Sequence, residues 1–416
     1  MEPRRYRILY IEKPISVGGS VISLYELVRG LDRDRYEPVV LFHGPNPYRE
    51  RFQALGVRVI VLSEHVPSPP SDGPRRDIAA SLGRYSVRLA EGYKAAKQLY
   101  LLLRRDLPLA RRVARIIREE AIDLVHHNNT LSGNRATMIA ARWAGLPQVC
   151  HVRMLHQLTF IERYLVRFVD AFIYISRAVE ALYRSQGIPA EQGQVIHNPI
   201  NAEQFEQVNG AAELRAEFGL DEGDWLISNV GRLDWWKGHD DFLRAMAQVV
   251  QSHPNAKALI VGAPGSTAIS QAYYRRLQHL VADLHLSEHV IFTGFRADVP
   301  RIMAASDVIV HSASQPEPFG RVVVEAMAAG RPVVATAAGG VLDIVEDRVT
   351  GLLVPPRDAS QMAQAIVHLL RHREQAQLMG QRAQRYVKEW FSVRKHTAAV
   401  QHVYEGLLTQ PLRGGT

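Results

Sequence analysis

The chain has 416 residues, of which 47% are hydrophobic and 22% are charged, and its formal net charge is +8. This length favours two domains over one core, and the composition excludes disordered and collagen-like classes. The single cysteine, Cys150, rules out an intrachain disulfide. The sequence contains no apolar run of about 20 residues that would span a bilayer. It also shows no signal-peptide pattern, so we expect a cytoplasmic protein whose positive charge suits an anionic partner.

Short apolar runs alternate with helical patterns along the chain. Strands are predicted at 7–12, 38–42, 57–61, 124–126, 149–152, 171–175 and 195–196, and then at 226–230, 258–261, 290–292, 308–310 and 333–335. Continuous apolar runs are typical of parallel strands that are buried on both faces. The alternation therefore predicts an α/β fold with two Rossmann-like, doubly wound domains. A turn-rich stretch at 197–201 suggests domains at 1–200 and 201–390, with a C-terminal segment at 391–416.

Glycines or cations follow the first strand of each half. Gly18 and Gly19 precede a helical pattern at 21–31. Glycines let the backbone approach a ligand, and a helix N-terminus offers N–H groups to an anion, although an ordinary strand-to-helix turn looks the same. In the second half, Arg232 and Lys237 lie in a Gly-Arg…Lys-Gly loop. Two cations in such a loop can both reach one diphosphate, although surface cations are usually only solvated.

Two carboxylates and a histidine fall near other predicted strand ends. Glu317 and Glu325 flank a helix start that is preceded by Pro-Phe-Gly-Arg. A carboxylate at such a place either contacts a ligand or compensates the helix dipole. His151 ends the strand at 149–152, where a side chain faces either a ligand or the core. Because ligands of α/β sheets bind beyond the carboxyl ends of the strands, these positions predict a site there.

In this order and spacing, these features resemble glycosyltransferase family 4, a family of retaining enzymes with the GT-B architecture. The most specific elements are the pair Glu317 and Glu325 with Phe-Gly between them, and the Gly-Arg…Lys-Gly loop at 231–238. Weaker support comes from Gly-Gly at 18–19, Ile-Ser-Arg-Ala at 175–178 and Gly-Gly at 339–340. The resemblance implies two Rossmann-like domains that face a cleft, with a C-terminal helix that crosses back to the first domain.

The resemblance also implies an activity, which is transfer of a hexosyl or related sugar from a nucleotide diphosphate donor. UDP-sugars are favoured and GDP-sugars remain open, and the unknown acceptor is expected to be lipid-linked or a polysaccharide. The implied catalytic residues are His151, Glu317, Arg232 and Lys237. The implied donor-binding residues are Gly18, Gly19, Arg232, Lys237, Arg296, Glu317, Phe319, Gly320, Arg321 and Glu325. Within this set Arg232 and Lys237 would hold the diphosphate, Glu317 the sugar, Glu325 the ribose, and Arg296 would lie near the base.

No metal and no cofactor are expected, because the nucleotide sugar is a substrate. The Asp-Arg-Asp sequence at 32–34, which has the pattern of a metal clamp, joins a helix to the next strand on the side away from the predicted site. Arg232 and Lys237 would then neutralise the leaving diphosphate.

Two segments depart from the family pattern. Asn-Pro-Ile-Asn at 198–201 replaces Asn-Gly-Val-Asp, and Gly-Gly-Val-Leu-Asp at 339–343 replaces Gly-Gly-x-Pro-Glu. The second departure leaves the geometry near the nucleotide open.

Other functions fit parts of the sequence. The positive charge permits a basic nucleic-acid-binding module, but no recognised motif is present and we expect no nucleic-acid partner. A catalytically silent GT-B-like binding protein would also keep this fold. An epimerase-like or phosphorylase-like enzyme on the same architecture would be separated by analysis of its products.

Residues 84–118 contain ten Lys or Arg and two acids. Their periodicity predicts two amphipathic helices, with Asp106 as the cap of the second helix. Such helices normally bury their apolar stripe on a sheet. We expect this of the second helix. Our hypothesis for the segment as a whole is that it borders the acceptor side of the cleft and helps to bind an anionic membrane surface, where each nearby cation adds about 1 kcal/mol. The protein would then lie peripherally on the inner face of the membrane.

Overall fold

The computed structural model describes residues 4–13, 18–63, 87–206 and 208–409. The chain divides into two compact units. The first takes in residues 1–175, 179–196 and 397–416, and the second takes in residues 176–178 and 197–396. Each unit is built on one parallel sheet with helices on both faces, so the expected α/β class with two Rossmann-like domains is confirmed.

The first unit contains a seven-stranded sheet in the order β3-β2-β1-β4-β5-β6-β7. Its strands are β1 (Tyr6–Glu12), β2 (Tyr36–Phe42), β3 (Arg58–Val61), β4 (Leu124–Asn129), β5 (Gln148–Val152), β6 (Ala171–Tyr174) and β7 (Gly193–Val195). The helices of this unit are α1 (Gly19–Arg29), α2 (Arg49–Ala54), α3 (Val87–Leu101), α4 (Leu107–Glu119), α5 (Arg135–Trp143) and α6 (Phe160–Leu165), followed by α7 (Arg177–Arg184), which begins in the second unit. The strand order reverses direction at β1 and β4, and this is the place where doubly wound sheets bind ligands.

The second unit contains a six-stranded sheet in the order β10-β9-β8-β11-β12-β13. Its strands are β8 (Trp225–Val230), β9 (Ala256–Val261), β10 (Val290–Gly294), β11 (Val308–His311), β12 (Val333–Thr336) and β13 (Leu352–Val354). Its helices are α8 (Glu203–Glu206), α9 (Ala211–Glu217), α10 (His239–Ser252), α11 (Ala268–Asp283), α12 (Val299–Ala305), α13 (Arg321–Ala328), α14 (Ala359–Arg371) and α15 (Arg373–Trp390). The order reverses here at β8 and β11, so a second ligand position is expected at the carboxyl ends of these two strands.

The last helix, α16 (Val393–Leu408), returns to the first sheet, as expected from the resemblance. The hydroxyl of Tyr404 lies 2.7 Å from Nδ1 of His126 and donates to the hydroxyl of Tyr10 at 3.2 Å. All three side chains are buried. The C-terminal helix therefore completes the core of the first unit.

All twelve predicted strands are present, although β7 lies slightly earlier than predicted. The strand that sequence analysis missed is β13, which has only three residues and pairs in register with β12. Three residues are too few to show a periodic pattern, and only a neighbouring strand makes them a ladder.

The expectation that Asp106 caps a helix was wrong. Asp106 has helical dihedral angles (φ −75°, ψ −41°) and makes no side-chain cap, because a π-helical turn at Leu102–Asp106 joins α3 to α4 without a break. Its carboxylate is buried and pairs with Arg135 at 2.6 Å. The aspartate that resembled a cap therefore belongs to a buried ion pair between α4 and α5.

None of the helices in the described part of the chain is long and apolar enough to cross a bilayer.

Candidate active site

The loop after β8 is held tightly against the loop after β11. Gly238, at the start of α10, has φ +67°, and a Cβ atom there would lie 2.0 Å from the carbonyl oxygen of Ser312. Only glycine accommodates both the left-handed backbone and this contact. Ser312 Oγ donates to the carbonyl oxygen of Lys237 at 2.9 Å, which fixes the loop that carries this cation. These contacts between two loops hold Lys237 at the carboxyl ends of the two central strands.

Lys237 and Glu317 form a largely buried ion pair in the second unit, in which the two side chains are 18% and 8% exposed. The Nε2 atom of His311, the last residue of β11, lies 3.2 Å from the same carboxylate oxygen. Burial by itself raises the pKa of Glu317, but Lys237 and His311 overcome this effect and hold it well below its usual range. Glu317 is therefore an anion next to a fixed cation at the predicted ligand edge of the sheet.

The backbone around Glu317 is fixed by the Gly-Gly pair at 339–340. Gly340 N–H donates to the carbonyl oxygen of Glu317 at 2.8 Å, and a Cβ atom on Gly339 would lie 2.2 Å from that oxygen. Gly339 also has φ +64°. These contacts explain the two glycines physically. They also show that the unusual Val-Leu-Asp which follows still lets this loop pack closely.

Helix α13 begins directly after this loop. Its N-cap is Gly320, which has no side chain to satisfy the amides of the first turn. Arg321 Nε donates to Oε1 of Glu325 at 2.8 Å, one helical turn further on. Burial raises the pKa of the Glu325 carboxyl, and Arg321 opposes that effect. The helix start thus presents amide groups and a guanidinium, and both are suited to an anion.

The two other predicted cations are placed differently. Arg232 has a side chain that is 66% exposed, and its Nη2 atom lies 3.1 Å from Asp234. Arg296 is held by two carboxylates, donating to Asp298 at 2.8 and 2.7 Å and to Glu217 at 2.5 Å. Arg232 is thus available to a ligand at low cost, whereas a role for Arg296 near the base, which stays a prediction, would compete with these ion pairs.

In the first unit, the residues of interest lie at the ends of β1, β4 and β5. Gly18 is the N-cap of α1, and Gly19 and Ser20 form its first turn. The Ser20 hydroxyl donates at 3.0 Å to Glu12, the last residue of β1. Asn128 from β4 donates to the other carboxylate oxygen of Glu12. Burial raises the pKa of Glu12 to about 7, although its contacts with Asn128, Ser20 and Arg153 partly offset the effect.

His151 lies beside this cluster. The strands β4 and β5 pair Asn128 with His151 directly across the sheet. Arg153, which follows β5, donates from Nε to Oδ1 of Asn128 at 2.7 Å, and its Nη2 lies 3.2 Å from Nδ1 of His151. The structure thus connects the glycine turn and His151, which the sequence singled out separately, through three polar side chains.

Sequence reasoning missed Glu12, Arg153 and His311 as members of the two clusters. Glu12 and His311 are the final residues of apolar strands, and Arg153 follows such a strand directly. A polar residue at the carboxyl end of a buried strand is therefore a usable sequence signal for these three residues, as it is for His151.

The described residues contain no group of three or more His, Cys, Asp or Glu side chains arranged to hold a metal ion. The Asp-Arg-Asp sequence at 32–34 lies between α1 and β2, where Asp32 accepts from the N–H of Asp34 at 3.0 Å. This is the geometry of a local turn.

Two family models match the chain. "Glycosyltransferase Family 4" matches residues 17–204, and "Glycosyl transferases group 1" matches residues 211–386. The chain belongs to glycosyltransferase family 4. The two matches meet near the boundary between the two units, and the second one contains Lys237, Glu317 and Glu325.

Two curated relatives of this glycosyltransferase have different names. It is 26% identical over 321 residues to the N-acetyl-alpha-D-glucosaminyl L-malate synthase of Bacillus anthracis, covering 74% of this chain and 81% of that one. It is 30% identical over 315 residues to the D-inositol 3-phosphate glycosyltransferase of Nocardia farcinica, covering 67% of each.

Solved structures of similar proteins have the same two-domain GT-B fold. HepE from Anabaena in complex with UDP is 26% identical with a TM-score of 0.79, covering 96% of this chain and 100% of that one. The complex of HepE with UDP-glucose is 25% identical with a TM-score of 0.77, and it also covers 96% of this chain and 100% of that one. A glycosyltransferase from Rickettsia africae, at 19% identity and a TM-score of 0.80, covers 98% of this chain and 100% of that one and shares the fold.

Proposed function

We propose that this glycosyltransferase moves a hexosyl group from a UDP-sugar to an acceptor hydroxyl, with retention of anomeric configuration and without a metal ion. The observation that carries the proposal is the buried pair of Lys237 and Glu317, which lies where the loops after β8 and β11 meet. A fixed cation at this edge suits the charge that develops on a departing diphosphate.

The preference for a UDP-sugar is supported by the complexes of HepE with UDP and with UDP-glucose. The identity of about one residue in four over nearly the whole chain makes a shared donor class the simplest expectation. GDP-sugars remain the alternative. The two donor classes differ in the base of the nucleotide.

The reaction follows from charge. The bond between the sugar C1 and the diphosphate oxygen breaks, and its electron pair stays on the diphosphate. The acceptor oxygen bonds to C1, and its proton leaves to a diphosphate oxygen or to water. Lys237, the exposed Arg232 and the amides at the start of α13 supply the positive potential that stabilises the leaving group. Retention is implied by family membership.

A donor panel without acceptor tests the proposal. UDP-glucose, UDP-galactose, UDP-N-acetylglucosamine and GDP-mannose are incubated with the protein, and nucleoside diphosphate release is measured. We expect slow release from one or more UDP-sugars and a loss of it in Lys237→Ala. If none of the four donors is bound or hydrolysed, the proposed glycosyltransferase activity is contradicted. Tight binding of DNA or RNA with a steep salt dependence would favour the nucleic-acid alternative.

We further propose that the acceptor is membrane-proximal. Leu99 and Tyr100 at the end of α3 are 50% and 60% exposed, and Leu103 in the π-helical turn that follows is 55% exposed. This part of the apolar stripe is therefore not buried on the sheet. Lys94 and Lys97, on the same helix, are exposed as well. Apolar side chains flanked by exposed cations suit the interface of an anionic lipid surface. Positions 84–86 of the basic segment lie outside the described residues.

A further inference from the structure

A chain of polar side chains runs from the first turn of α1 to His151, all within the first unit. Ser20 donates to Glu12, Asn128 donates to Glu12, Arg153 donates to Asn128, and Arg153 reaches His151. Apart from Ser20, each of these side chains belongs to a residue that is no more than 5% exposed. In such surroundings every donor needs an acceptor, so the direction of each hydrogen bond can be worked out.

The direction is fixed by Arg153, because a guanidinium only donates. Its Nε therefore requires an oxygen on Asn128, which turns the amide NH2 of Asn128 towards the carboxylate of Glu12. Its Nη2 requires a lone pair on Nδ1 of His151 at 3.2 Å. A neutral imidazole whose Nδ1 accepts must carry its proton on Nε2. A proton on Nδ1 would instead face the N–H of a permanent cation.

We propose that Arg153 is a positioning residue that holds His151 as the neutral tautomer protonated on Nε2. This inference rests on the proposed function and on the role that the family resemblance implies for His151, which is to serve the transferred sugar. In this tautomer Nε2–H donates a hydrogen bond to a sugar or phosphate oxygen. His151 is then not a general base, and proton removal from the acceptor falls to the leaving diphosphate or to water.

Nitrogen NMR of the full-length protein labelled with ¹⁵N-histidine tests the tautomer without any substrate. The His151 signal is assigned by its loss in His151→Gln. At neutral pH we expect a protonated Nε2 and an unprotonated Nδ1. If the wild-type spectrum showed His151 protonated on Nδ1, or on both nitrogens, that result would refute the proposal without any variant. His402, whose side chain is 83% exposed and whose Nδ1 lies 3.8 Å from Glu405, gives the reference for a histidine at the surface.

Variants then test whether Arg153 is the cause. Arg153→Met removes the donor to Nδ1, and we expect the His151 signal to move towards a mixture of tautomers, as for His402. Glu12→Gln keeps an acceptor for Asn128, and Arg167→Met changes an exposed arginine of the same unit, so both should leave the His151 signal as in the wild type. An unchanged His151 signal in folded Arg153→Met would show that another group sets the tautomer and would refute the role of Arg153.

A kinetic measurement separates this proposal from the proposed function. If the protein turns over a UDP-sugar, Arg153→Met should lower kcat about 10- to 100-fold, by analogy with the loss of residues that orient metal-binding histidines, with little change in donor KM. An unaltered kcat with an altered tautomer would show that His151 does not serve the reaction. If no donor is turned over, the proposed function fails, while the NMR result still decides whether Arg153 holds the tautomer.

Discussion

Lys237 and Glu317, eighty residues apart in the chain, form a buried ion pair at the carboxyl edge of the second sheet. The pair exists because two separate loops are locked together by glycine and serine contacts between the ends of β8 and β11. It joins the two most specific motifs of the sequence into one cluster. It also means that each partner affects both stability and activity.

Lys237→Ala should impair both properties. Removing Lys237 leaves the buried carboxylate of Glu317 without its cationic partner, and this typically costs about 3–5 kcal/mol of unfolding free energy. Loss of a fixed charge-stabilising group should lower turnover at least about 100-fold. Urea unfolding and donor turnover measure the two effects. Lys257→Ala, which removes an exposed lysine that bonds to the carbonyl oxygen of Glu288, is the matched control and should change neither. Wild-type turnover in folded Lys237→Ala would refute the diphosphate assignment.

Arg232→Ala should impair activity alone. Its side chain is two-thirds exposed and pairs only locally with Asp234, so its removal should change the unfolding free energy by less than about 1 kcal/mol. Turnover should still fall by about 100-fold if the guanidinium grips the diphosphate. The midpoint of urea unfolding and kcat are each measured for the variant and for the wild type. A variant with unchanged kcat would remove Arg232 from the leaving-group site.

Turnover should survive exhaustive treatment with EDTA followed by desalting. The reason is that Lys237, Arg232 and the start of α13 together supply the positive charge that other sugar transferases obtain from a metal ion. Turnover is compared before and after chelation, with and without added Mn²⁺ or Mg²⁺. Activity that is lost on chelation and restored by either ion would contradict the metal-independent mechanism.

Glu12→Gln should stabilise the protein at alkaline pH. Burial raises the pKa of Glu12 to about 7, above its unfolded value near 4.5. The folded state therefore holds the proton more tightly, and the stability linked to it is fully present below about pH 4.5 and is lost as the pH rises through 7. Glutamine mimics the protonated form at every pH. We expect the variant to gain roughly 2–3 kcal/mol over the wild type at pH 8 and little at pH 4.5, as measured by urea unfolding. A stability difference that does not vary between pH 4.5 and pH 8 would mean that folding does not raise the pKa of Glu12.

Binding to vesicles should depend on the exposed part of α3. Co-sedimentation with phosphatidylserine-containing vesicles should exceed that with neutral vesicles, and Lys94→Glu with Lys97→Glu should reduce it, since each near-surface cation contributes about 1 kcal/mol. Replacing the exposed Tyr100 by Ser should weaken binding through loss of the apolar contact. Reversal of Arg382 and Arg385, two exposed arginines of the second unit, serves as the charge control. Equal recovery with both vesicle types would refute a membrane role for this segment.

Much of this protein could be predicted from its sequence because the signals are local. The apolar runs of strands such as β1, β8 and β11 indicate burial on both faces, and the glycines and charged residues after them mark the loops that follow. These patterns sufficed for the fold class, for twelve of the thirteen strands of the described chain, and for Lys237, Glu317 and His151 as residues of interest.

Only the tertiary structure decided which of these residues meet. The pairing of Lys237 with Glu317, the approach of Arg153 to His151, and the engagement of Arg296 by Asp298 and Glu217 all depend on how strands and loops are arranged side by side. Asp106 shows the same limit, since its sequence setting fits a helix cap while its actual partner, Arg135, lies on another helix. Local patterns reflect the backbone and the degree of burial, whereas the partner of a buried charge is chosen by contacts between residues far apart in the chain.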